Sequence, residues 1–340
     1  MTICLKLLKN LQVYLPMFKK TFLFCLSLSL ILPFAGAEAA QKKTHRVDAK
    51  HEHVKKHVVV SARHQHKLQK ASNSPDPFKE SYTSAGEPKL ASAKALVMDQ
   101  ATGEILYGKN IDKPTPIASV TKLMTAMVML DAHLPMDETL SVTEADVDKL
   151  KGSSSKLPVG SELTRQELLH MALMSSENRA ASALGRNYPG GEAAFIAAMN
   201  AKANALGMHD SHFVDPTGLN SNNVSTAIDL AKMVRAAYNY PQIRQVSTSP
   251  SQEFNLNSYR HPVNFSNTNL LVRNSNSKWV IGLSKTGYIS EAGRCLVMQA
   301  EISGKGVVLV FLDSMGKLSR IGDAERIRKW IEHNGSGRIG

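Results

Sequence analysis

Cysteine is scarce in this chain. Cys4, Cys25 and Cys295 are the whole complement in 340 residues. The first two fall in an apolar leader, so an exported form would carry one thiol and no internal disulfide. Its stability must then come from a packed core. His-Glu-x-x-His is missing, and His133, His170, His209, His212, His261 and His333 are scattered without metal-binding spacing. Gly-rich phosphate loops and the G-x-S-x-G elbow are also absent. No metal or other cofactor is therefore expected. After the leader, no run approaches the ~18 continuous apolar residues of a membrane helix. Aromatics make up 6%, Gly and Pro are unexceptional at 21 and 14, and no internal period appears, which excludes collagen-like, repeat and wholly disordered classes. An apolar share of 43% is enough for one sizeable core.

What is present begins with "FKKTFLFCLSLSLILPFAGAEAA", a basic start followed by an apolar stretch and small residues. This is the plan of a secretory signal over 1–40, cleaved near Ala37 or Ala40, with Met17 an alternative start. A periplasmic, soluble mature protein follows, with no stable membrane insertion after cleavage. The formal charge of +12 is unevenly spread: Gln41 to Lys70 holds nine Lys/Arg against Asp48 and Glu52, and six of the twelve histidines. A Ser/Pro-rich stretch follows, and 41–90 reads as a basic, poorly ordered tether. Its plain role is a solvated linker; the sharper one is weak attachment to an anionic surface. Metal binding at His51, His53 and His57 fits less well, since no carboxylate or Cys cluster accompanies them. Without the tether the remainder is near charge balance, which leaves no footprint for nucleic acid.

The ordered domain is expected over 91–335. "AKALVMDQATGEILYGKN" reads as a β-hairpin. Helical patterns follow from Thr164 (with Glu167 completing a capping box), from Gly191 to a stop at Gly207, and from Ser225 to Pro241. "KWVIGLSKTGY", "RCLVMQAEI" and "GVVLVFLDS" read as three strands, and "GDAERIRKWIE" as a terminal helix. Strands joined by short hairpins are antiparallel. The fold class is thus an α+β sandwich: an antiparallel sheet of about five strands with helices on its faces.

"PIASVTKLMTAMVML" carries the chemistry. Ser119 and Lys122 are about one helical turn apart and share a face. A hydroxyl needs a base within hydrogen-bond reach. A lysine serves only when burial or a neighbouring cation lowers its pKa from about 10.4. S-x-x-K is a cheap pattern, recurring at Ser153–Lys156, Ser275–Lys278 and Ser314–Lys317, where each reads as an ordinary surface pair. Ser119 differs because an apolar helix begins there and would bury the lysine. Two further pieces follow in order: Ser176-Glu177-Asn178 in the middle helical region, and the chain's one Lys285-Thr286-Gly287 on a predicted strand. A second S-x-N lies at Ser221–Asn223 in a Gly/Asn loop.

S-x-x-K, then S-x-N, then K-T-G is the motif set of penicillin-binding proteins and serine β-lactamases. With "KPTPIASVTKLMTAMV", "LLHMALMSSENRAASAL", "HFVDPTGLN" and "SKTGYISEAGRCLVM", the chain from about Ala91 to Glu332 resembles a low-molecular-mass penicillin-binding protein of the D-alanyl-D-alanine carboxypeptidase family, nearest the D-alanyl-D-alanine endopeptidases of the penicillin-binding protein 7/8 type. The resemblance implies a β-lactamase/transpeptidase-like fold and a serine D,D-peptidase acting on peptidoglycan stem peptides, with β-lactams as covalent inhibitors. It implies Ser119 as nucleophile, Lys122 as general base kept neutral with help from Lys285, and Ser176 as proton relay. Asn178 would hold the substrate amide, and Lys285 and Thr286 its carboxylate. Gly287 would let the substrate approach, and the N–H groups of Ser119 and Tyr288 would form the oxyanion hole. Tyr288 stands where related carboxypeptidases often carry His. Ending one helix after the last strand favours an endopeptidase cutting D-Ala-diaminopimelate cross-links over a carboxypeptidase. A β-lactamase would need a deacylating glutamate on a loop after the S-x-N helix, and no convincing E-x-x-x-N segment is seen; the intact Ser119/Lys122 pair argues against a non-catalytic wall-binding protein.

Overall fold

The Asp99–Gly103 turn shows how locally the sheet is built. Asp99 Oδ1 accepts from the N–H groups of Ala101 and Thr102, and Gly103 takes a positive φ of 79°. That turn joins β1 (Ser92–Asp99) to β2 (Ile105–Lys109) as the expected antiparallel hairpin. The computed structural model describes residues 82–83 and 86–336. The expected signal over 1–40 and most of the expected tether over 41–90 lie outside the described residues.

Between the hairpin and the last strands run short pairs and helices. β3 (Thr115–Pro116) pairs with β6 (Val224–Ser225), β4 (Thr139–Ser141) with β5 (Glu162–Thr164), and β7 (Ser251–Phe254) with β8 (Val263–Ser266). The helices are α1 (Lys122–Asp131), α2 (Arg165–Met174), α3 (Asn178–Arg186), α4 (Gly191–Ala205), α5 (Ala227–Ala237), α6 (Pro241–Ser247), α7 (Leu270–Arg273) and α8 (Ser319–Ser336). Then β9 (Val280–Ile289), β10 (Gly293–Ile302) and β11 (Lys305–Ser314) complete a five-stranded antiparallel sheet in the order β2-β1-β11-β10-β9. The expected fold class holds.

Alternation along these strands splits their side chains between two cores. Leu96, Val297, Val308 and Val310 pack against the helices, while Val97, Leu296, Leu309 and Phe311 meet Ile327 of α8 on the other face. α1 is buried on nearly every side, packed among α3, α4 and α5, which is why its sequence is apolar all round. Cys295 is buried, and burial pushes its thiol up to about 11, so it acts as a small core residue.

Two expectations change. The helical pattern from Thr164 is capped as expected, with Glu167 Oε2 accepting from Thr164 N at 2.8 Å, but it is not one helix. It breaks at Ser175–Glu177. The N–H groups of Ser175 and Glu177 both turn back to the Met171 carbonyl, and Ser176 takes a left-handed φ of 63°. Pro241 does not merely close a helix: it is the first residue of α6, a position that tolerates its missing N–H.

Candidate active site

Ser119 sits just ahead of α1, in the short 3-10 turn Ala118–Thr121, rather than on the α-helix itself. Ala118 before it has φ of 49°, a left-handed conformation uncommon for a side-chain-bearing residue. Two glycines make room for this turn. A Cβ on Gly218 would stand 2.0 Å from the Ala118 carbonyl oxygen, and one on Gly287 would stand 2.9 Å from Ser119 N. Glycine at 287 therefore lets the edge strand β9 lie directly against the nucleophile's backbone N–H.

Lys122 is 1% exposed. Its Nζ lies 3.0 Å from Ser119 Oγ, 2.7 Å from Asn178 Oδ1 and 2.7 Å from the Thr217 carbonyl oxygen. The amide and backbone oxygens can only accept, so each takes one N–H. A neutral amine then has its lone pair left facing Ser119, where it can accept the hydroxyl proton. Burial pushes Lys122 down to about 7, against the upward pull of the Asp215 and Glu177 carboxylates. Lys285 is equally buried, and its Nζ donates to the Thr286 carbonyl at 2.9 Å. Burial first, then the Lys122 and Arg320 charges, hold it well below the ordinary lysine range. Among the described residues no carboxylate pairs with Lys122 or Lys285. Burial is what lowers Lys122, and the expected help from Lys285 is not among the causes; it is Lys122 that presses on Lys285.

Above the two lysines opens a cleft of about 530 Å³, lined by Ser119, Ser176, Asn178, Thr286, Gly287 and Tyr288 among others. Residues of all three motifs thus line one cleft, with Lys122 buried 3.0 Å behind Ser119 Oγ. The break between α2 and α3 turns Ser176 toward this cleft and starts α3 at Asn178. Ser176 is not among the three acceptors of Lys122. Asn178 bridges instead, its Oδ1 on Lys122 and its Nδ2 donating to Ser153 Oγ at 2.9 Å. That bond uses one of the two Nδ2 hydrogens.

Comparison with known proteins bears on the family and the fold. A profile of the D-alanyl-D-alanine carboxypeptidase family matches residues 81–316. The chain belongs to that family. It is 49% identical over 249 residues to a D-alanyl-D-alanine endopeptidase of Pseudomonas aeruginosa, covering 72% of this chain and 79% of the relative. Its fold superimposes on the Streptomyces K15 DD-transpeptidase with a TM-score of 0.66 at 30% identity, over 72% of this chain and 97% of that one. Penicillin-binding protein D2 of Listeria monocytogenes, solved in a cefotaxime-bound form, matches with a TM-score of 0.62 at 30% identity, over 71% and 97%.

Within this D,D-peptidase-family fold, several site residues escaped sequence reasoning. Ser153 belongs to an S-x-x-K read as a surface pair; Lys156 is exposed, but Ser153 lines the cleft and holds Asn178. The Asp215–Asn220 loop was noted only as a family-like phrase. Asp215 Oδ1 accepts from Thr217 N and Gly218 N at 2.6 and 2.7 Å, and its Oδ2 from Asn220 N at 2.9 Å. This aims the Thr217 carbonyl at Lys122. Asn223, from the second S-x-N, braces the same loop: its Oδ1 accepts from Val214 N and its Nδ2 donates to Thr121 Oγ1. Arg320 also lines the cleft. It is 9% exposed, and its Nε and Nη1 are buried without a hydrogen-bond partner among the described residues. Arg320 thus keeps unmatched donors beside the cleft that Thr286 also lines.

Proposed function

We propose that this protein is a serine D,D-endopeptidase that cuts the D-alanyl cross-link between peptidoglycan stem peptides through an acyl-enzyme on Ser119. The observation that carries it is the Lys122 amine. It is buried, sits near neutral pKa, and has two N–H groups committed to Asn178 and Thr217, leaving its third direction 3.0 Å from Ser119 Oγ. Lys122 takes the Ser119 proton as Oγ attacks the D-alanyl carbonyl. The oxyanion forms between the N–H groups of Ser119 and Tyr288. Collapse expels the amine, which takes a proton routed from Lys122 through Ser176. Water, activated by the same lysine, then releases the acyl group. Asn178 holds the substrate amide, while Lys285, Thr286 and Arg320 hold the carboxylate on the departing residue. Gly287 keeps the open edge of β9 free for an extended peptide.

The endopeptidase preference is supported by the name of the 49%-identical relative; the motifs themselves serve either leaving amine. β-Lactams should acylate Ser119, in keeping with the cefotaxime-bound relative. An exported, periplasmic enzyme belongs to this reading, with a signal over 1–40, a basic tether over 41–90 and the peptidase domain over 91–335. Purified protein is to be given cross-linked muropeptide dimers and uncross-linked pentapeptides, with products identified by mass. The expected outcome is conversion of dimers to monomers. Release of D-alanine from pentapeptides with dimers left intact would make the enzyme a carboxypeptidase.

A further inference from the structure

Tyr288 lines the cleft, and its neighbours across the sheet lie just beyond the lining. Strand register sets Tyr288 of β9 opposite Arg294 of β10, and Arg294 opposite Ser314 of β11. The three form a row across one end of the sheet, beside the start of α8. Tyr288 is 57% exposed for so large a ring, and the Arg294 guanidinium lies 4.5 Å from its centroid. That stack fixes a planar cation at the rim. The neighbouring cleft cation is accounted for differently: Lys151 is ion-paired with Glu291 in the β9–β10 turn. Among the described residues no carboxylate pairs with Arg294. Its charge is close enough to press on Arg320, which burial and Arg294 together hold below its usual range.

The two possible leaving groups differ at this point. Both carry the carboxylate seated by Thr286 and Arg320. A departing D-alanine ends there. A departing cross-linked stem peptide continues outward, and its diacid and glutamate residues bear further carboxylates. We propose that Arg294, stacked on Tyr288, is a specificity-determining residue that receives a carboxylate of the departing stem peptide and so favours cross-links over a terminal D-alanine. This rests on the D,D-peptidase reading above. Arginine suits the role because its flat fork can stack and bind a carboxylate at once.

The test uses full-length protein, its Arg294→Gln and Arg294→Lys variants, and three substrates: cross-linked muropeptide dimer, uncross-linked pentapeptide and benzylpenicillin. Arg294→Gln is expected to lower kcat/KM on the dimer by about tenfold, a typical worth for one charge-assisted contact. Penicillin acylation and D-alanine release should stay within about twofold of the wild type on the same scale. Arg294→Lys should fall between, keeping the charge but not the stack. Raising salt should erode the wild-type preference for dimer and leave that of Arg294→Gln in place, since a rim charge is screened. An unchanged dimer rate in Arg294→Gln would overturn the proposal. So would an equal loss on all three substrates, which marks a structural role. Wild-type protein that is acylated by penicillin but cleaves neither peptide would instead remove the peptidase reading, and this inference with it.

Discussion

At the scale of single residues, the proposed chemistry depends on a lysine that can be neutral near physiological pH. Lys122 has a folded-state pKa of about 7, lowered by burial. Acylation should therefore rise with pH, about tenfold per unit below 7, and level off above it as the amine loses its proton. A stopped-flow pH profile with a chromogenic cephalosporin measures this. Lys122→Arg keeps a cation in place but cannot be deprotonated, and should lower acylation on the order of 10²–10⁴-fold at every pH. An ascending limb near pH 10 would contradict the burial argument. Ser119 and Lys122 were legible in the sequence because burial was legible there: this S-x-x-K alone opens an apolar run. Ser153 and Arg320 were not. Their importance lies in contacts made across long sequence separations, and nothing in their neighbours distinguishes them from surface residues.

At the scale of elements, the site is assembled by loops that carry little local signal. The helical pattern beginning at Thr164 hid the break at Ser176, because a left-handed residue after a helix is usually Gly or Asn and here is Ser. Short pieces such as β7, β8 and α7 are too brief for periodicity to register. By contrast, the hairpin, the last three strands and α8 were legible, since each is long enough for its period to be read. The Asp215–Asn220 loop decides the most with the least signal. It supplies the Thr217 acceptor for Lys122, and Gly218 lies against the nucleophile turn. Gly218→Ala would place a Cβ 2.0 Å from the Ala118 carbonyl oxygen, and must push the turn aside. The expected stability loss is about 1–3 kcal/mol, as for other overpacked sites. The acylation loss should be larger, about 10²-fold, because misplacing a nucleophile by about 1 Å costs that much. Thermal melting and penicillin acylation measured on the same sample separate the two. A fully active Gly218→Ala variant would show that the close approach is not needed.

At the scale of the whole molecule, the sheet brings three distant motifs to one edge. β9 carries Lys285-Thr286-Gly287 on the open side of the sheet, the turn before α1 closes over it with Ser119, and the start of α3 brings Asn178 from the other side. α8 crosses the far face and delivers Arg320 to the same cleft. The two buried lysines, Lys122 and Lys285, have no carboxylate partner among the described residues, and burial disfavours a charge on either. Such charges are costly to bury, and that cost is borne where the chemistry needs it. The proposed reaction passes through a covalent intermediate on Ser119. The direct measurement is intact mass after brief exposure to benzylpenicillin, followed by tryptic mapping. The predicted result is one penicilloyl group per molecule, carried on the peptide that ends at Lys122, and no adduct in Ser119→Ala. An unmodified wild-type mass, or an adduct that persists in Ser119→Ala, would contradict it.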